Sequence, residues 1–494
     1  MKKTGLSLSA SAFYSLYRPS ACEKRVFLTA REEVRAEPSE LELLIRELGE
    51  QHEKDHLSTF TDVRNLGDGS LADRGQRTRD AVESGAAVIY QGVMRSALPG
   101  SRDVVTGVPD FMIRDGESYR IRDCKLSRSV RKGKHPEIAG QLQTYGWLFE
   151  TTFGRSPAAL EVYLGDGTVD VLTYEGSDPA VKGLERIRSL LLLPEEPWEP
   201  IGWSKCGTCP FQERCWDRAA RDHDVSMIYG VDQATSRSLR EKGISTYDQL
   251  LARMDGSSLA GMTRPRAGRQ QRVGGAAARI LAQARALAAG KMIRLGDLRL
   301  PEGPMVMFDL EGVPPQYDEL DKVYLWGAQV YGEDGPLGPY CPILAGFGPD
   351  ADRDGWRRFL EMAAQIMRDH GAIPFVHWAE YEKAKLRSYR DRFGDPDGIA
   401  SRVLENCFDL LKAVRAAFAL PVPSYGLKVV ERLSGYKRTM EDYGGEWSIA
   451  RYIKASRMED VAERSLILKE IARYNEEDLR AMWAILVWAR RLAA

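Results

Sequence analysis

Two short strand-like runs with charged residues at their ends constrain this chain more than any other stretch. They lie within Gly107–Arg128, where Val-Pro-Asp110 ends the first run and Tyr119 to Lys125 form the second. Successive side chains of a strand point to opposite faces, so Tyr119, Asp123 and Lys125 share one face. The stretch predicts a β-hairpin that brings two carboxylates and an ammonium group together at one end.

Paired acids with a nearby lysine are suited to phosphodiester hydrolysis. Two neighbouring carboxylates are hard oxygen ligands for Mg²⁺ or Mn²⁺, and a lysine two residues further on can orient or deprotonate a water beside a phosphate. The alternative is a surface hairpin with ordinary turn acids, which is the commoner origin of an isolated Asp…Asp-x-Lys pattern. Further features of the chain favour the hydrolytic interpretation.

Two helical stretches add side chains to this pattern. His52 lies in a stretch upstream of the hairpin, while Gln141 and Tyr145 lie four residues apart, and so on one face, in a stretch downstream. With these residues the sequence resembles the RecB-like branch of the PD-(D/E)xK nucleases, in which a helical histidine, two acids, a lysine and a Gln-x-x-x-Tyr helix occur in this order. The resemblance implies that Gln141 and Tyr145 support the site and the substrate.

The same resemblance implies a metal site on the hairpin. His52, Asp110 and Asp123 would hold the ion together with the backbone carbonyl of Cys124, and Lys125 would assist the attacking water. Taken alone, His52 fits an ordinary helix histidine as well as a ligand.

Length and composition indicate a protein with several domains. A chain of 494 residues suggests about three domains, and its formal net charge of −1 gives no global indication of nucleic-acid binding. No apolar run approaches the roughly 20 residues of a membrane span, and the N-terminus lacks the sustained apolar core of a signal peptide. We therefore expect a cytoplasmic protein with no membrane partner.

The cysteines indicate a cofactor site rather than a disulfide framework. Cys206, Cys209 and Cys215 form a tight cluster, and Cys22 is the remaining cysteine near the start of the chain. Their spacing fits either a structural zinc ion or an iron–sulfur cluster. The arrangement resembles that of an iron–sulfur subgroup of RecB-like nucleases, which includes helicase-linked members. This resemblance implies a 4Fe–4S cluster that clasps the two ends of the nuclease domain.

The middle segment, 223–298, combines two short predicted helices around glycine turns with a strongly basic stretch. The helices resemble a helix-hairpin-helix module, with a small helical spacer as the alternative. The range Gly256–Gly296 contains eight Arg or Lys residues and no Asp or Glu, which indicates a phosphate-binding surface unless the charges only solvate a helix. The arginines predicted to contact nucleic acid are Arg264, Arg266, Arg269 and Arg272.

A second set of acids lies in the last third of the chain. An apolar predicted strand ends in Asp309 and Glu311, and Tyr474 and Asp478 lie four apart, and so on one face, of a predicted helix. This layout resembles that of DnaQ-like (DEDDy) 3′–5′ exonucleases of the ribonuclease-H-like fold. In such a site carboxylates hold two metal ions and the tyrosine positions the water.

The middle acid of that pattern departs from the family. Where an Asn-x-x-x-Phe-Asp type motif is expected, the chain has His377, Tyr381 and Glu382. Glu382 is therefore the candidate for the catalytic position, and Asp409 is the other acid that remains open.

Together these features predict an α/β multidomain protein: a restriction-endonuclease-like core with a cysteine clasp over 1–222, a basic helical hairpin domain over 223–298, and a ribonuclease-H-like domain over 299–494. The predicted function is metal-dependent DNA cleavage, exonucleolytic at single-stranded ends, in repair, recombination or defence. The alternatives are an inert nucleic-acid-binding scaffold that serves a helicase partner and an RNA-processing nuclease. The chain is not itself a helicase, because it lacks a phosphate-binding Walker motif.

Overall fold

The chain folds into two compact units. The structure is a computed structural model that describes residues 5–18, 20–31, 36–127, 129–130, 135–198, 200–266, 268–313, 322–348, 350–440 and 443–493. The first unit comprises Met1–Pro38, Glu42–Ile201 and Lys205–Cys215, and the second comprises Ser39–Leu41, Gly202–Ser204 and Trp216–Ala494. Because the second unit holds both the middle segment and the C-terminal part, the division into three domains stays a prediction.

The first unit mixes short strands with longer helices. The strands are β1 (Ser7–Ser9), β2 (Val63–Asn65), β3 (Val88–Tyr90), β4 (Met94–Ala97), β5 (Val104–Gly107), β6 (Phe111–Asp115), β7 (Ser118–Lys125), β8 (Ala159–Leu164) and β9 (Val169–Leu172). The helices are α1 (Ala12–Tyr17), α2 (Glu23–Ala30), α3 (Glu40–Leu57), α4 (Leu71–Glu83), α5 (Pro136–Phe153) and α6 (Ser177–Leu191). Two further helices, α7 (Trp203–Cys206) and α8 (Gln212–Arg221), carry Cys206 and Cys215.

The predicted hairpin is the centre of the main sheet. Six strands pair in the order β2-β3-β6-β7-β8-β9, with β6 antiparallel and β8 parallel to β7. Tyr119, Ile121 and Asp123 are buried on one face of β7, as the alternation of the sequence predicts. Tyr119 and Ile121 pack in the same core as Leu142 and Leu148 of α5, so this helix covers the face that carries Asp123.

The second unit begins with a small helical region that has a core of its own. A 3₁₀ turn (Val225–Met227) leads to α9 (Gln233–Glu241), α10 (Tyr247–Arg253), α11 (Gly256–Gly261), the hairpin strands β10 (Thr263–Arg266) and β11 (Arg269–Arg272), and α12 (Ala276–Ala289). Leu239, Leu250 and Ile280 belong to its buried core. Gly243 has φ +73° between α9 and α10, a backbone conformation that favours glycine.

The rest of the second unit is a five-stranded sheet and a two-stranded sheet, with helices around them. Its strands are β12 (Ile293–Arg294), β13 (Met305–Val313), β14 (Lys322–Tyr331), β15 (Cys341–Leu344), β16 (Phe375–His377), β17 (Cys407–Asp409) and β18 (Phe418–Ala419), of which β12 and β18 form the two-stranded sheet. Its helices are α13 (Ala351–His370), α14 (Tyr381–Phe393), a 3₁₀ turn (Pro396–Gly398), α15 (Ile399–Glu405), α16 (Leu410–Ala417), α17 (Leu427–Ser434), α18 (Gly445–Arg457) and α19 (Val461–Ala493). No helix in the described ranges is long and apolar enough to cross a membrane.

The central strand β13 explains where the second set of acids lies. The sheet order is β15-β14-β13-β16-β17, with β13 antiparallel to β14 and parallel to β16. Both faces of β13 are covered, which suits its apolar sequence. Met305 and Met307 share a core with Leu479 and Met482 of α19, whereas Phe308 packs into the core on the opposite face. Because alternate residues of a strand share a face, Asp309 and Glu311 lie on the same face as Met305 and Met307, beside α19.

Candidate active sites and cysteine cluster

The first candidate site lies on the hairpin of the main sheet. Asp110 directly precedes β6, and its Oδ2 accepts a hydrogen bond from the backbone N–H of Cys124, 2.7 Å away. Asp123 and Lys125 form an ion pair at the end of β7. Burial, followed by the charge of Asp123, holds the pKa of Asp110 well above its usual range. The two acids and the lysine therefore meet as the sequence predicts, in a buried setting that favours a bound cation.

Helix α5 fixes the loop that delivers Asp110. Gln141 Nε2 donates a hydrogen bond to Tyr145 Oη at 2.6 Å, and Tyr145 Oη donates to the carbonyl of Val108 at 3.1 Å. Gln141 and Tyr145 are both buried. Their hydrogen bonds end two residues before Asp110, so the geometry gives them a supporting position, and their catalytic role stays a prediction.

His52 and its neighbour Glu53 make different contacts near the first site. The His52 ring stacks on Tyr163 with the ring centres 4.8 Å apart, and Nε2 is 3.4 Å from the Tyr163 carbonyl. Glu53 Oε1 accepts hydrogen bonds from Tyr90 and Gln91, each 2.7 Å away, and its charge helps to raise the pKa of Asp110. The ligand role of His52 stays a prediction, and Glu53 is a candidate that the sequence reasoning missed although it is the next residue of the same helix.

Tyr14 is a second residue near this site that sequence reasoning missed. It lies on α1, with the centre of its ring 5.9 Å from Lys125 Nζ. Burial raises the pKa of Tyr14 to about 12, with Lys125 opposing and Asp123 adding to the shift. Nothing in its local sequence distinguishes it from a core aromatic residue, because its position depends on the packing of α1.

The second candidate site joins β13 to α19. Asp309, Glu311 and Asp478 each offer an oxygen, and these three oxygens all lie within 4.8 Å of one another. Carboxylate oxygens at this spacing are suited to a hard divalent cation such as Mg²⁺ or Mn²⁺. Tyr474 lies one turn before Asp478 on α19, and burial followed by the charge of Asp478 holds the pKa of Tyr474 well above its usual range.

Neutral side chains hold the acids of β13 in place. Asn475 Nδ2 donates to Asp309 Oδ2 at 2.6 Å, and Tyr340 Oη donates to Asn475 Oδ1 at 2.8 Å. A Cβ added to Gly327 on β14 would lie 1.7 Å from Asn475 Oδ1, so a larger residue there would displace the amide that holds Asp309. The Tyr324 hydroxyl is 3.4 Å from Glu311 Oε2.

The acids of the second site oppose one another electrostatically. Burial, followed by the charge of Asp478, holds the pKa of Asp309 well above its usual range and raises the pKa of Glu311 to about 8. Neighbouring carboxylates that are removed from water disfavour ionisation of one another. A divalent cation between them would reverse this penalty, which is the arrangement expected of a metal site.

Of the two acids open for the middle position, Glu382 is the one beside Asp309. Glu382 hydrogen-bonds Asp309, and its Oε2 is 3.4 Å from Nδ1 of the buried His377. Burial lowers the pKa of His377, but contacts with Cys407 and Glu382 outweigh it and raise that pKa to about 10. Asp409 instead caps α16, where it accepts a hydrogen bond from the Lys412 N–H at 2.8 Å.

The four clustered cysteines line one cavity of the first unit. Cys22 comes from the start of α2, and Cys206, Cys209 and Cys215 come from α7, α8 and the turn between them. Burial is the main effect that raises the pKa of Cys22 to about 12, and the other three thiolates add to it.

The arginine hairpin β10–β11 differs in one respect from the expectation of four exposed contacts. Arg266, Arg269 and Arg272 are exposed, and Arg266 lies directly opposite Arg269 across the hairpin. Arg264 is instead buried, with Nη1 2.9 Å from Asp232 Oδ1 and a further hydrogen bond to Thr235. Its guanidinium thus fastens the hairpin to α9, a contact that the local charge pattern could not reveal.

Two protein-family models match this chain. The model of the PD-(D/E)XK nuclease superfamily matches residues 11–216, and the model of the RNase H superfamily matches residues 306–490. The chain is therefore a mixed α/β protein with one domain from each of these two nuclease superfamilies, whose substrates are nucleic acids. Such nucleases usually use divalent metal ions, and the acidic triad of the second site is suited to bind one.

The other comparisons add little to these two matches. No curated protein matches the chain. One solved structure, described as the crystal structure of SSO0001, aligns with 35% of this chain and 96% of its own length, at 16% identity and a TM-score of 0.20. A likeness at that TM-score carries no argument about fold or function.

Proposed function

We propose that this protein is a metal-dependent nuclease with two hydrolytic centres that act as an exonuclease on single-stranded DNA ends in repair, recombination or defence. The observation that carries the proposal is the convergence of Asp309, Glu311 and Asp478, whose oxygens lie within 4.8 Å although the residues come from a strand and a distant helix. This geometry supports phosphoryl chemistry at a metal site more directly than a sequence pattern alone.

At the second centre, Asp309, Glu311, Asp478 and Glu382 would hold two divalent ions, which supply a charge clamp for the attacking and leaving oxygens. Asn475 keeps Asp309 turned toward the site through its 2.6 Å hydrogen bond. The buried Tyr474 would position the water. Its raised pKa keeps the hydroxyl protonated, so it acts as a hydrogen-bond donor or acceptor and not as a base.

At the first centre, Asp110 and Asp123 would hold the ion, with Glu53 or His52 as a further ligand. Lys125 is paired with Asp123, and although burial lowers its pKa, the charge of Asp123 outweighs burial and keeps the ammonium protonated. A protonated lysine orients the water and the phosphate by hydrogen bonding. Gln141 and Tyr145 hold the Asp110 loop.

We also propose that Cys22, Cys206, Cys209 and Cys215 bind a 4Fe–4S cluster. The proposal rests on the four cysteines lining one cavity and on the resemblance of their spacing to that of iron–sulfur nucleases; a single zinc ion is the alternative. The cluster would join α2 to the α7–α8 region, a structural role, and anaerobically purified protein should be brown and contain iron.

The nuclease proposal is tested on end-labelled single-stranded DNA and RNA with Mg²⁺ or Mn²⁺. Wild type is compared with Asp110→Asn, Asp478→Asn and the double variant. We expect each single variant to remove a distinct set of products and the double variant to remove both. Equal inactivity of all four proteins with binding retained would favour the scaffold alternative, and preference for RNA would favour RNA processing.

A further inference from the structure

A basic cavity lies beside the second centre. The first turn of α17 carries Lys428, and the loop that follows this helix carries Arg438. Both line a cavity of about 420 Å³ together with Glu431, Arg432, Gly435, Tyr436 and Lys437. Arg432 and Lys437 are exposed at this cavity, so solvent and a ligand can reach it.

Arg438 connects this cavity to the acids. Its Nε and Nη2 each donate to the Glu431 carboxylate at 2.7 Å, and Nη2 also donates to Asp478 Oδ1 at 2.5 Å. Nη1 is buried and has no hydrogen-bond partner among the described residues. A buried charged donor without an acceptor carries a free-energy cost, which an anionic oxygen would remove.

Lys428 and Arg438 approach the same tyrosine. Lys428 Nζ lies 5.4 Å and Arg438 Cζ 6.0 Å from the centre of the Tyr474 ring, the residue proposed to position the water. Two cations thus lie close to the carboxylates of the metal centre. A polyanion approaching a group of acids needs such positive charge, and lysine and arginine are the side chains that bind phosphate oxygens best.

We propose that Lys428 and Arg438 form a phosphate-binding subsite that holds a backbone phosphate of the nucleic-acid strand next to the second centre. This inference rests on the proposed function of that centre. Arg438 is held in place by Glu431 and supplies its Nη1, while Lys428 supplies the ammonium of a partly buried side chain. The subsite thereby sets which phosphate of the strand lies over the acids.

Lys428→Gln tests the subsite, because Lys428 is only partly buried and its replacement leaves the Glu431–Arg438 pair intact. The full-length protein is used with Asp110→Asn, so that only the second centre is read. We expect cleavage of a DNA strand to slow by about 10- to 100-fold, the loss expected for a charge-assisted hydrogen bond. On strands carrying one neutral methylphosphonate at the contacted position, parent and variant should cleave equally.

Lys454→Gln is the matched control, because it removes the same charge from an exposed residue of α18. It should leave every rate unchanged. Cleavage by Lys428→Gln at the parent's rate would overturn the subsite. If the Asp110→Asn parent cleaves nothing, the proposed function fails at this centre. The subsite is then tested by calorimetric binding of thymidine 5′-monophosphate with Mn²⁺. An affinity at least tenfold weaker in Lys428→Gln supports the subsite, and an equal affinity overturns it.

Discussion

The two candidate active sites are suited to a similar chemistry but differ in how the charges of their acids are compensated. In the first, Asp123 has its own counter-ion, Lys125, two residues away on the same strand. In the second, Asp309, Glu311 and Asp478 converge from elements far apart in sequence. Burial and the charge of Asp478 raise the pKa values of Asp309 and Glu311, whereas burial raises the pKa of Asp478 against the opposing charge of Arg438. One acid of the first site is therefore neutralised by a residue of its own strand, whereas the second site depends on cations from other elements, such as Arg438 beside Asp478.

The largest effect should follow removal of one ligand from the second site. In the Asp110→Asn protein, Asp478→Asn should lower the rate of cleavage by about 10³-fold, because the metal clamp contributes several kcal/mol to the transition state. Single-turnover cleavage in Mn²⁺ measures it. Glu382→Gln should also lower the rate, whereas Asp409→Asn, which keeps its cap on α16, should not; the reverse order would reassign the middle acid.

Replacing one acid by its amide should change the free energy of unfolding in opposite directions at the two sites. With metal removed by chelation, Asp123→Asn should destabilise the first unit by about 3 kcal/mol, since it leaves the partly buried Lys125 without its counter-ion. Glu311→Gln should instead stabilise the second unit, because it relieves repulsion among buried carboxylates. Urea unfolding in chelator measures both. Shifts of the same sign would show that the charge balance of the two sites does not differ as described.

Removing Asn475, the neutral side chain that holds Asp309, should have a smaller effect. Asn475→Ala should weaken Mn²⁺ binding by about 10- to 100-fold, because residues that orient metal ligands typically contribute that much to affinity. Titration of Mn²⁺ followed by electron paramagnetic resonance measures it. Asn406→Ala, which alters an asparagine outside the site, is the control, and an unchanged affinity in Asn475→Ala would show that Asp309 is positioned without it.

The smallest effect should come from the arginine hairpin, which serves neither site directly. Replacing Arg266 and Arg269 by Gln should weaken single-strand binding a few-fold and reduce the slope of log affinity against log salt by about 1 per lost phosphate contact. Fluorescence anisotropy at several salt concentrations measures the slope. Arg357→Gln, an exposed arginine of α13, should leave the slope unchanged, and an equal slope in the hairpin variant would remove the hairpin from the binding surface.

Sequence reasoning was most successful where a pattern repeats within one element. The two-residue period placed Asp123 with Lys125 on one face, and the Asp-x-Glu ending of an apolar run put Asp309 and Glu311 on one strand, before any fold was known. It could not choose between His52 and Glu53, because neighbouring helix residues point about 100° apart and the sequence does not give the rotation of the helix.

Local sequence patterns could not identify residues whose position depends on partners far away in the sequence. Arg264 is held by Asp232, and Asn475 reaches Asp309 across 166 positions of sequence. Lys428 and Arg438 gain their significance only from the tertiary packing that brings them to Tyr474. Such contacts link elements that no periodicity relates.

Helix α19 has a consequence for how this protein tolerates change. One rigid rod of 33 residues carries Tyr474, Asn475 and Asp478, and it also packs Leu479 and Met482 into the core. If the part of α19 before Tyr474 kept its place, deleting one residue there would turn Tyr474 and everything after it by about 100° and shift it by about 1.5 Å, so the functional side chains and the core residues would lose their register together. Insertions and deletions in this helix should therefore be far more harmful than point substitutions, because they displace every later side chain of the helix at once.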